Sequence, residues 1–291
     1  MTRNKTFTHL QLKTLMQRTQ LDDTKKMELE RLDNGFHGEN SFDDLIESYV
    51  QAHDLIHIKD LLFEYDEGKK EVQIDNIVVA NDVCYIFKVK KYQFNLVIDD
   101  RGFFYYENGK EFSMLNTQVE KQKGEVRQLL ADIGYPMPIH HFIVFMNPDR
   151  TVFGLQRKHN VLTRAILEDF FEQKMRPNRK DYSFFVSAIN ERRLKISKHA
   201  TFFKIDLDLL KKGVYCTACD NRMRRTSNYY YTCHGCNLRI RTLDAVKLLI
   251  RDLRLLNPEH KITSKLISRL SDGEISSSVV RKYRINGEIK Y

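Results

Sequence analysis

Four cysteines in two closely spaced pairs constrain this chain more than any other feature. Cys216 and Cys219 are separated by two residues, thirteen residues follow, and Cys233 and Cys236 repeat the same separation. Two residues between thiolates let one tight turn present both sulfurs to one ion, and a hairpin between the pairs brings the second turn alongside. The spacing is that of a zinc ribbon. It predicts one structural zinc ion, because four thiolates leave no coordination position open.

The remaining cysteine, Cys84, lies apart among alternating apolar residues and is predicted to be a buried thiol. Clustering of the other four favours metal ligation over disulfides, as in a reducing compartment. The sequence has neither an apolar leader nor a stretch long enough to span a membrane. We therefore expect a cytoplasmic protein without membrane association. No glycine-rich phosphate loop is present, so no nucleotide cofactor is expected.

The net charge of +9 is concentrated at one end of the chain. Residues 211–291 contain 17 Lys and Arg against 7 Asp and Glu, whereas the rest of the chain has a net charge of −1. Concentrated positive charge attracts polyanions by releasing condensed counterions, and nucleic acid is the commonest such partner. The charge indicates nucleic-acid binding; a solvated basic tail is the alternative.

Within this basic region, two groups of residues are candidate nucleic-acid contacts. Arginines precede a run of tyrosines between the cysteine pairs, a combination suited to phosphate contact and base stacking. The alternative is that the tyrosines pack the hairpin and the arginines face solvent. Basic residues on a helix near residue 280 form the second group. The candidates are Arg222, Arg224, Arg225, Tyr230, Arg281 and Lys282.

The segment after the cysteines has the outline of a helix-turn-helix. Thr263 is placed to cap a first helix, Gly273 lies in a turn, and Ser276 or Ser277 begins a second helix. A short glycine-containing turn followed by a basic helix is typical of this DNA-binding motif. A plain helical hairpin fits the same pattern.

The first half of the chain alternates between helical and strand patterns. Apolar spacing predicts a helix over 6–32, an interruption at Gly35 and Gly38, and a second helix from Glu39 to about His53. A meander of strands, a further helix and a buried strand follow, which indicates an α/β (α+β) domain. Five segments are expected: a helical segment 1–32, an α/β domain 33–150, a helical connector 151–210, a zinc ribbon 211–240 and a basic helical segment 241–291.

Three short motifs of this domain occur together. Gly35-x2-Gly38-Glu39 opens the second helix, Gln73-Ile74-Asp75 lies in a strand, and Lys90-Lys91-Tyr92 ends the next strand. With the later helix NTQVEKQKGEVRQLL, they resemble the nuclease-related domain (NERD) family, a branch of the PD-(D/E)xK nuclease fold. The resemblance covers roughly residues 33–140. It implies a restriction-endonuclease-like mixed sheet flanked by helices, and metal-dependent DNA hydrolysis with magnesium or manganese.

The resemblance also implies roles for particular residues. Glu39 matches the family's helix acid, Asp75 its strand aspartate and Lys90 its catalytic lysine. Lys88 stands where the family has a glutamate, and residues two apart on a strand share a face, so its ammonium would oppose a divalent cation near Asp75. Another carboxylate could replace the missing one. The candidates are Glu64, Asp66, Glu71, Asp99 and Asp100.

Three functions remain in competition. The departure at Lys88 favours a NERD-like protein that binds DNA through its nuclease-like core and basic zinc-ribbon tail, with little or no cleavage. An active metal-dependent endonuclease is the first alternative. The second is a non-catalytic scaffold whose zinc ribbon docks on a protein partner.

Overall fold

Two units divide the chain, and each draws on separate stretches of sequence. One unit comprises Met1–Asn4 and Arg31–His199, and the other comprises Lys5–Glu30 and Ala200–Tyr291. The computed structural model describes residues 3–65, 70–112, 114–194, 197–198, 202–203, 205–259 and 261–291. Helix α1 is Phe7–Arg18, and helix α2 runs from Asp23 to Ala52 through the point at which the units are divided. The division into five segments stays a prediction.

The first unit is built on a five-stranded mixed sheet in the order β1-β2-β3-β6-β8. Strands β1 to β3 form an antiparallel meander, whereas β3, β6 and β8 run parallel. The strands are β1 (Ile56–Tyr65), β2 (Lys70–Ala80), β3 (Val83–Lys90), β6 (Ile139–Phe145) and β8 (Val161–Thr163). The sequence DEGKK between β1 and β2 indicates a turn, and its first four residues, 66–69, lie outside the described residues.

Helices cover both faces of this sheet. Phe42 and Ile46 of α2 pack with Phe171 of α4 (Arg164–Lys174) in one apolar core. On the other face, Val126 of α3 (Met114–Asp132) packs with Phe185 of α5 (Phe185–Arg192). A sheet whose strands are buried on both faces requires near-continuous apolar runs, and VQIDNIVVA and VCYIFKVK supply them.

A small second sheet extends the first unit. It has the order β5-β4-β7, with β4 at Leu96–Ile98, β5 at Phe104–Tyr106 and β7 at Val152–Phe153. A turn at Asn108 and Gly109 follows β5, where Gly109 has a φ of 82° that glycine adopts readily.

The second unit combines α1 with the cysteine segment and three later helices. A three-stranded sheet of β9 (Arg224–Arg225), β10 (Tyr230–Thr232) and β11 (Arg239–Arg241) precedes α6 (Thr242–Leu256), α7 (Ser264–Leu270) and α8 (Ser277–Ile285). Helix α1 packs against α6 through a buried ion pair between Arg18 Nη2 and Asp252 Oδ2, at 2.7 Å. The predicted cap is confirmed, because Thr263 Oγ1 accepts a hydrogen bond from Leu266 N.

Three expectations about helices are wrong. The single helix expected over 6–32 is interrupted, because α1 ends at Arg18 and α2 begins at Asp23. The chain forms no break at Gly35 and Gly38, because α2 continues through both. Gly38 instead permits a close approach: a Cβ there would lie 2.9 Å from the Cβ of Lys91. The connector expected to be helical over 151–210 also contains a strand, because Val161–Thr163 pairs with β6 as strand β8.

Candidate functional site

The alternation of side chains between the two faces of the sheet is broken in both β1 and β2, at positions opposite each other. Ile74 and Ile77 of β2 line the same core although they are three residues apart, and Ile58 and Leu61 of β1 do likewise. Strict alternation would place residues three apart on opposite faces. The break in β1 falls at Asp60, whose φ of 47° is left-handed.

Asp60 and Asp75 face each other at this break. The paired register runs continuously on either side of them and omits these two positions. Arg193 fixes the distorted backbone, because its Nη1 donates hydrogen bonds to the carbonyl oxygens of Lys59 and Asp60 at 3.0 and 2.7 Å. The sequence folds this way because a charged side chain satisfies carbonyl groups that the ladder leaves open.

Asp75 is bound by the residue that replaces the expected glutamate. Lys88 Nζ lies 2.8 Å from Asp75 Oδ1, and only 6% of the Asp75 side chain is exposed. The backbone N–H of Val89 donates to the other carboxylate oxygen at 3.3 Å. Both carboxylate oxygens of Asp75 therefore accept hydrogen bonds from residues of β3.

Glu39 and Lys90 lie in the same electrostatic environment. Burial raises the pKa of Glu39 to about 7, and the negative charge of Asp75 adds to the effect while Arg3 opposes it. Burial lowers the pKa of Lys90 to about 8, helped by the positive charge of Lys88. The four residues predicted as a nuclease-like site are thus brought together, because the charges of Asp75 and Lys88 act on the pKa values of both Glu39 and Lys90.

Three further residues of this site were not predicted from the sequence. Arg3 Nε lies 2.9 Å from Asp43 Oδ2, and its Nη1 lies 2.6 Å from Asp60 Oδ1 and 3.2 Å from Glu39 Oε2. One signal was available: Glu39 and Asp43 are four residues apart on a helix, where like charges repel unless a cation lies between them. Arg3 itself belongs to no motif.

The candidate replacement carboxylates are engaged elsewhere. Glu64 forms an ion pair with Lys198, whose backbone N–H donates to Glu71 Oε1 at 2.7 Å. Asp99 pairs with Arg101 at 3.1 Å, and Asp100 Oδ1 accepts a hydrogen bond from Gln156 at 2.7 Å. Asp66 lies outside the described residues.

Helix α3 reaches this site through a glutamine. Gln122 Nε2 donates to the carbonyl oxygen of Gln73 at 2.9 Å, and its Oε1 lies 3.1 Å from His141 Nε2. Burial and the nearby Lys88 lower the pKa of His141 to about 4, so this histidine is neutral at pH 7. One region of the sheet therefore brings together an acid from α2, an aspartate and a lysine from the strands, and a glutamine from α3.

This arrangement agrees with the comparison to known families. Residues 34–146 match the family model described as the nuclease-related domain. The chain carries a NERD domain. The resemblance and the mixed α/β fold class expected from the sequence are thereby confirmed. No curated protein and no solved structure matches the chain significantly.

The cysteine cluster lies outside the NERD domain, in the second unit. Its four Sγ atoms lie within 4.8 Å of one another. Among the residues that the structure describes, no other group of three or more Cys, His, Asp or Glu side chains is close enough to share an ion. The site thus has the all-thiolate donor set that suits zinc.

The two cysteine turns have the same backbone. Asp220 N donates to the carbonyl oxygen of Cys216 at 3.1 Å, and Asn237 N donates to that of Cys233 at 2.8 Å. Asp220 and Asn237 both adopt left-handed φ angles, 60° and 59°. Hydrogen bonds from the backbone and side chain of Asn221 lower the pKa of Cys219 to about 6, which favours the thiolate that binds metal.

The predicted basic contacts divide into two classes. Arg222 Nη2 lies 2.9 Å from Asp272 Oδ2 and 3.2 Å from Glu274 Oε1, so its charge is compensated within the unit. Arg225 donates to the carbonyl oxygens of Ser227 and Glu274, which fixes β9 against the turn before α8. These two arginines stabilise the unit itself.

Arg224 belongs instead to an outward sheet face. Register places Arg224 and Arg239 on either side of Thr232, and Tyr230 opposite Arg241. Directly paired residues share a face of an antiparallel sheet, and the fully buried Tyr231 marks the opposite face. We call the residues Arg224, Tyr230, Arg239 and Arg241 the ribbon face. Arg239 and Arg241 were not predicted from the sequence.

Two further features concern aromatic and helical contacts. The Arg239 guanidinium lies 3.8 Å from the centre of the Tyr230 ring, so one face of that ring is already covered. Arg281 and Lys282 are exposed on α8, whose Val280 is fully buried, and Gly273 has a φ of 75° in the preceding turn.

Among the described residues, no helix is both long and apolar enough to cross a membrane.

Proposed function

We propose that this protein binds DNA through its basic cysteine-containing unit, and that its NERD domain keeps the nuclease framework without metal-dependent cleavage. The observation that carries the second half is the 2.8 Å ion pair between Lys88 and Asp75. An ammonium group is held against the carboxylate that would bind a divalent cation in the family.

Charge explains why this pair opposes catalysis. A pair of unit charges 4 Å apart is worth about 4 kcal/mol at an effective dielectric of 20. Replacing the family's glutamate by Lys88 changes the local charge by two units, from attraction to repulsion of a magnesium or manganese ion. The carboxylate of Asp75 then neutralises Lys88 instead of activating water through a metal.

The DNA-binding half rests on the ribbon face and on α8. Both lie in the unit that contains the net positive charge of residues 211–291. Because Arg239 covers Tyr230, we expect the ribbon face to contact phosphates more than bases. Arg281 and Lys282 would add contacts from a helix that follows a short turn, as in a helix-turn-helix. A zinc ion held by the four cysteines would keep the ribbon folded.

Duplex DNA affinity measured against salt tests this proposal. The wild type should bind with an affinity that falls steeply as salt rises, and each arginine removed from the ribbon face should lower the slope by about 0.9 per lost phosphate contact. The variant Arg224→Gln/Arg239→Gln is therefore expected to bind more weakly and with less salt dependence. Arg157→Gln/Lys158→Gln is the matched control, because it removes the same charge from exposed positions of the other unit.

Either of two results would contradict DNA binding by this surface. One is an affinity that does not change with salt. The other is an equal loss in the control and in the ribbon-face variant, because a general charge effect would then suffice. The cleavage half has its own test, in which supercoiled plasmid should remain intact with magnesium or manganese present.

A further inference from the structure

Arg3 is buried completely in the NERD-domain unit. None of its side chain is exposed, although a guanidinium is among the most costly groups to remove from water. Such burial requires that every donor find an acceptor. The side chain makes ion pairs with Asp43, Asp60 and Glu39, which come from α2 and from the break in β1.

The same guanidinium also binds the strand that carries Asp75. Its Nη2 donates to the backbone carbonyl oxygen of Asp75 at 3.0 Å, to Asn76 Oδ1 at 2.7 Å and to Asp43 Oδ1 at 3.1 Å. All three nitrogens of the guanidinium are therefore engaged. A planar fork of five N–H donors fits several convergent oxygens, which a spherical ammonium cannot do.

Three side-chain cations pair with the four carboxylates of this region. The acids are Glu39, Asp43, Asp60 and Asp75. Arg3 contacts three of them, Lys59 Nζ lies 3.1 Å from Asp43 Oδ2, and Lys88 holds Asp75. A divalent ion entering here would meet carboxylates that are each already ion-paired with a side-chain cation.

We propose that these carboxylates form a guanidinium-binding site whose ligand is the chain's own Arg3, and that Arg3 excludes divalent cations from the NERD domain independently of Lys88. Two side chains, Lys88 and Arg3, then exclude a divalent cation from the region of Asp75. Restoring the family's acid at position 88 leaves Glu39, Asp43 and Asp60 tied to Arg3. The inference does not depend on DNA binding by the other unit.

Manganese binding, followed by electron paramagnetic resonance near pH 8, tests the exclusion. We expect Lys88→Glu alone to bind Mn²⁺ weakly, and Arg3→Ala/Lys88→Glu to bind it at least about tenfold more tightly. Adding Asp75→Asn to the double variant should abolish that gain, which would locate the ion at this site. Equal Mn²⁺ affinity in the single and double variants would overturn the proposal.

Chemical rescue tests the guanidinium site directly. Arg3→Ala should unfold at a lower temperature than the wild type, and millimolar methylguanidinium should restore part of the difference. Methylammonium, which has the same charge without the planar fork, should restore less. Equal rescue by the two cations, or none by either, would contradict a site shaped for guanidinium.

A variant that fails to fold also gives an answer. Arg3→Gln removes the charge and three of the five N–H donors but keeps a polar amide, and it serves if Arg3→Ala is unfolded. Under the proposal, methylguanidinium should refold either variant, and Mn²⁺ should refold the version that also has Lys88→Glu. Variants that stay unfolded with every cation would contradict the proposal. DNA affinity enters none of these measurements, so failure of the DNA-binding proposal would be seen separately.

Discussion

At the scale of single residues, the nuclease-like site is a problem of charge compensation. Glu39, Asp75, Lys88 and Lys90 could be predicted because short motifs place them in order along the sequence. Arg3 and Asp60 could not be predicted. The two residues lie 57 positions apart in the sequence, and their contact depends on the break in the alternation of β1 at Asp60. A sequence motif identifies the acids but not the distant cation that neutralises them.

The pKa of Glu39 leads to a prediction about pH. Its folded-state value is about 7 against an ordinary value of 4.5. Between these values the folded state binds more protons than the unfolded state, so the contribution of Glu39 to stability falls as pH rises and its cost is complete above pH 7. The free energy of unfolding of Glu39→Gln, relative to that of the wild type, should therefore be higher near pH 8 than near pH 5 by about 1–3 kcal/mol.

Urea unfolding at the two pH values would measure this difference. Glu47→Gln is the matched control, because Glu47 lies on the same helix with half of its side chain exposed. A stability difference between Glu39→Gln and wild type that is independent of pH would contradict the assigned environment of Glu39.

At the scale of secondary-structure elements, the pattern of apolar residues predicted most strands and helices. The meander, the buried strand β6 and the caps at Thr263 and Ser276 all follow from local signals that the structure obeys. The exceptions have identifiable causes. Helix α2 continues through two glycines, of which Gly38 permits the close approach of Lys91, and β8 forms because Val161–Thr163 completes a parallel sheet edge. Tertiary contacts outweigh local propensity at both places.

The break shared by β1 and β2 depends on Arg193. Its Nη1 satisfies the carbonyl oxygens of Lys59 and Asp60, and Arg193 also bridges to Phe63 of β1. We expect Arg193→Ala to lower the free energy of unfolding of the NERD-domain unit by about 1–3 kcal/mol, because partly buried carbonyl groups lose a charged donor.

Thermal unfolding of this variant beside Arg192→Ala would test the role of Arg193. Arg192 is the neighbouring residue and its side chain is exposed, so its removal should cost little. An equal loss of stability in the two variants would mean that Arg193 stabilises the unit through its general charge and not through a specific backbone contact.

At the scale of the whole molecule, the two units divide the tasks of holding a nuclease-like framework and of presenting positive charge. The charge distribution and the cysteine spacing could be taken from the sequence, since both depend on composition along the chain. The ribbon face could not, because Arg239 and Arg241 follow the second cysteine pair and join Arg224 only through strand pairing.

The metal content of the second unit is the prediction that belongs to this scale. The purified chain should contain about one zinc ion, and Cys216→Ser should remove most of it and destabilise the unit, because four thiolates form the closed site. Cys84→Ala is the control: that thiol is fully buried and lies outside the cluster, so its removal should leave the zinc content unchanged. A zinc content unaffected by Cys216→Ser would show that the cysteines do not hold the metal.

Nicking of supercoiled plasmid tests the central claim most directly. Wild-type protein, incubated with magnesium or manganese, should convert no more plasmid than the Asp75→Ala variant prepared in the same way. Cleavage by the wild type that disappears in Asp75→Ala would mean that the carboxylate works beside the Lys88 ammonium, and it would contradict a charge-compensated, inactive site.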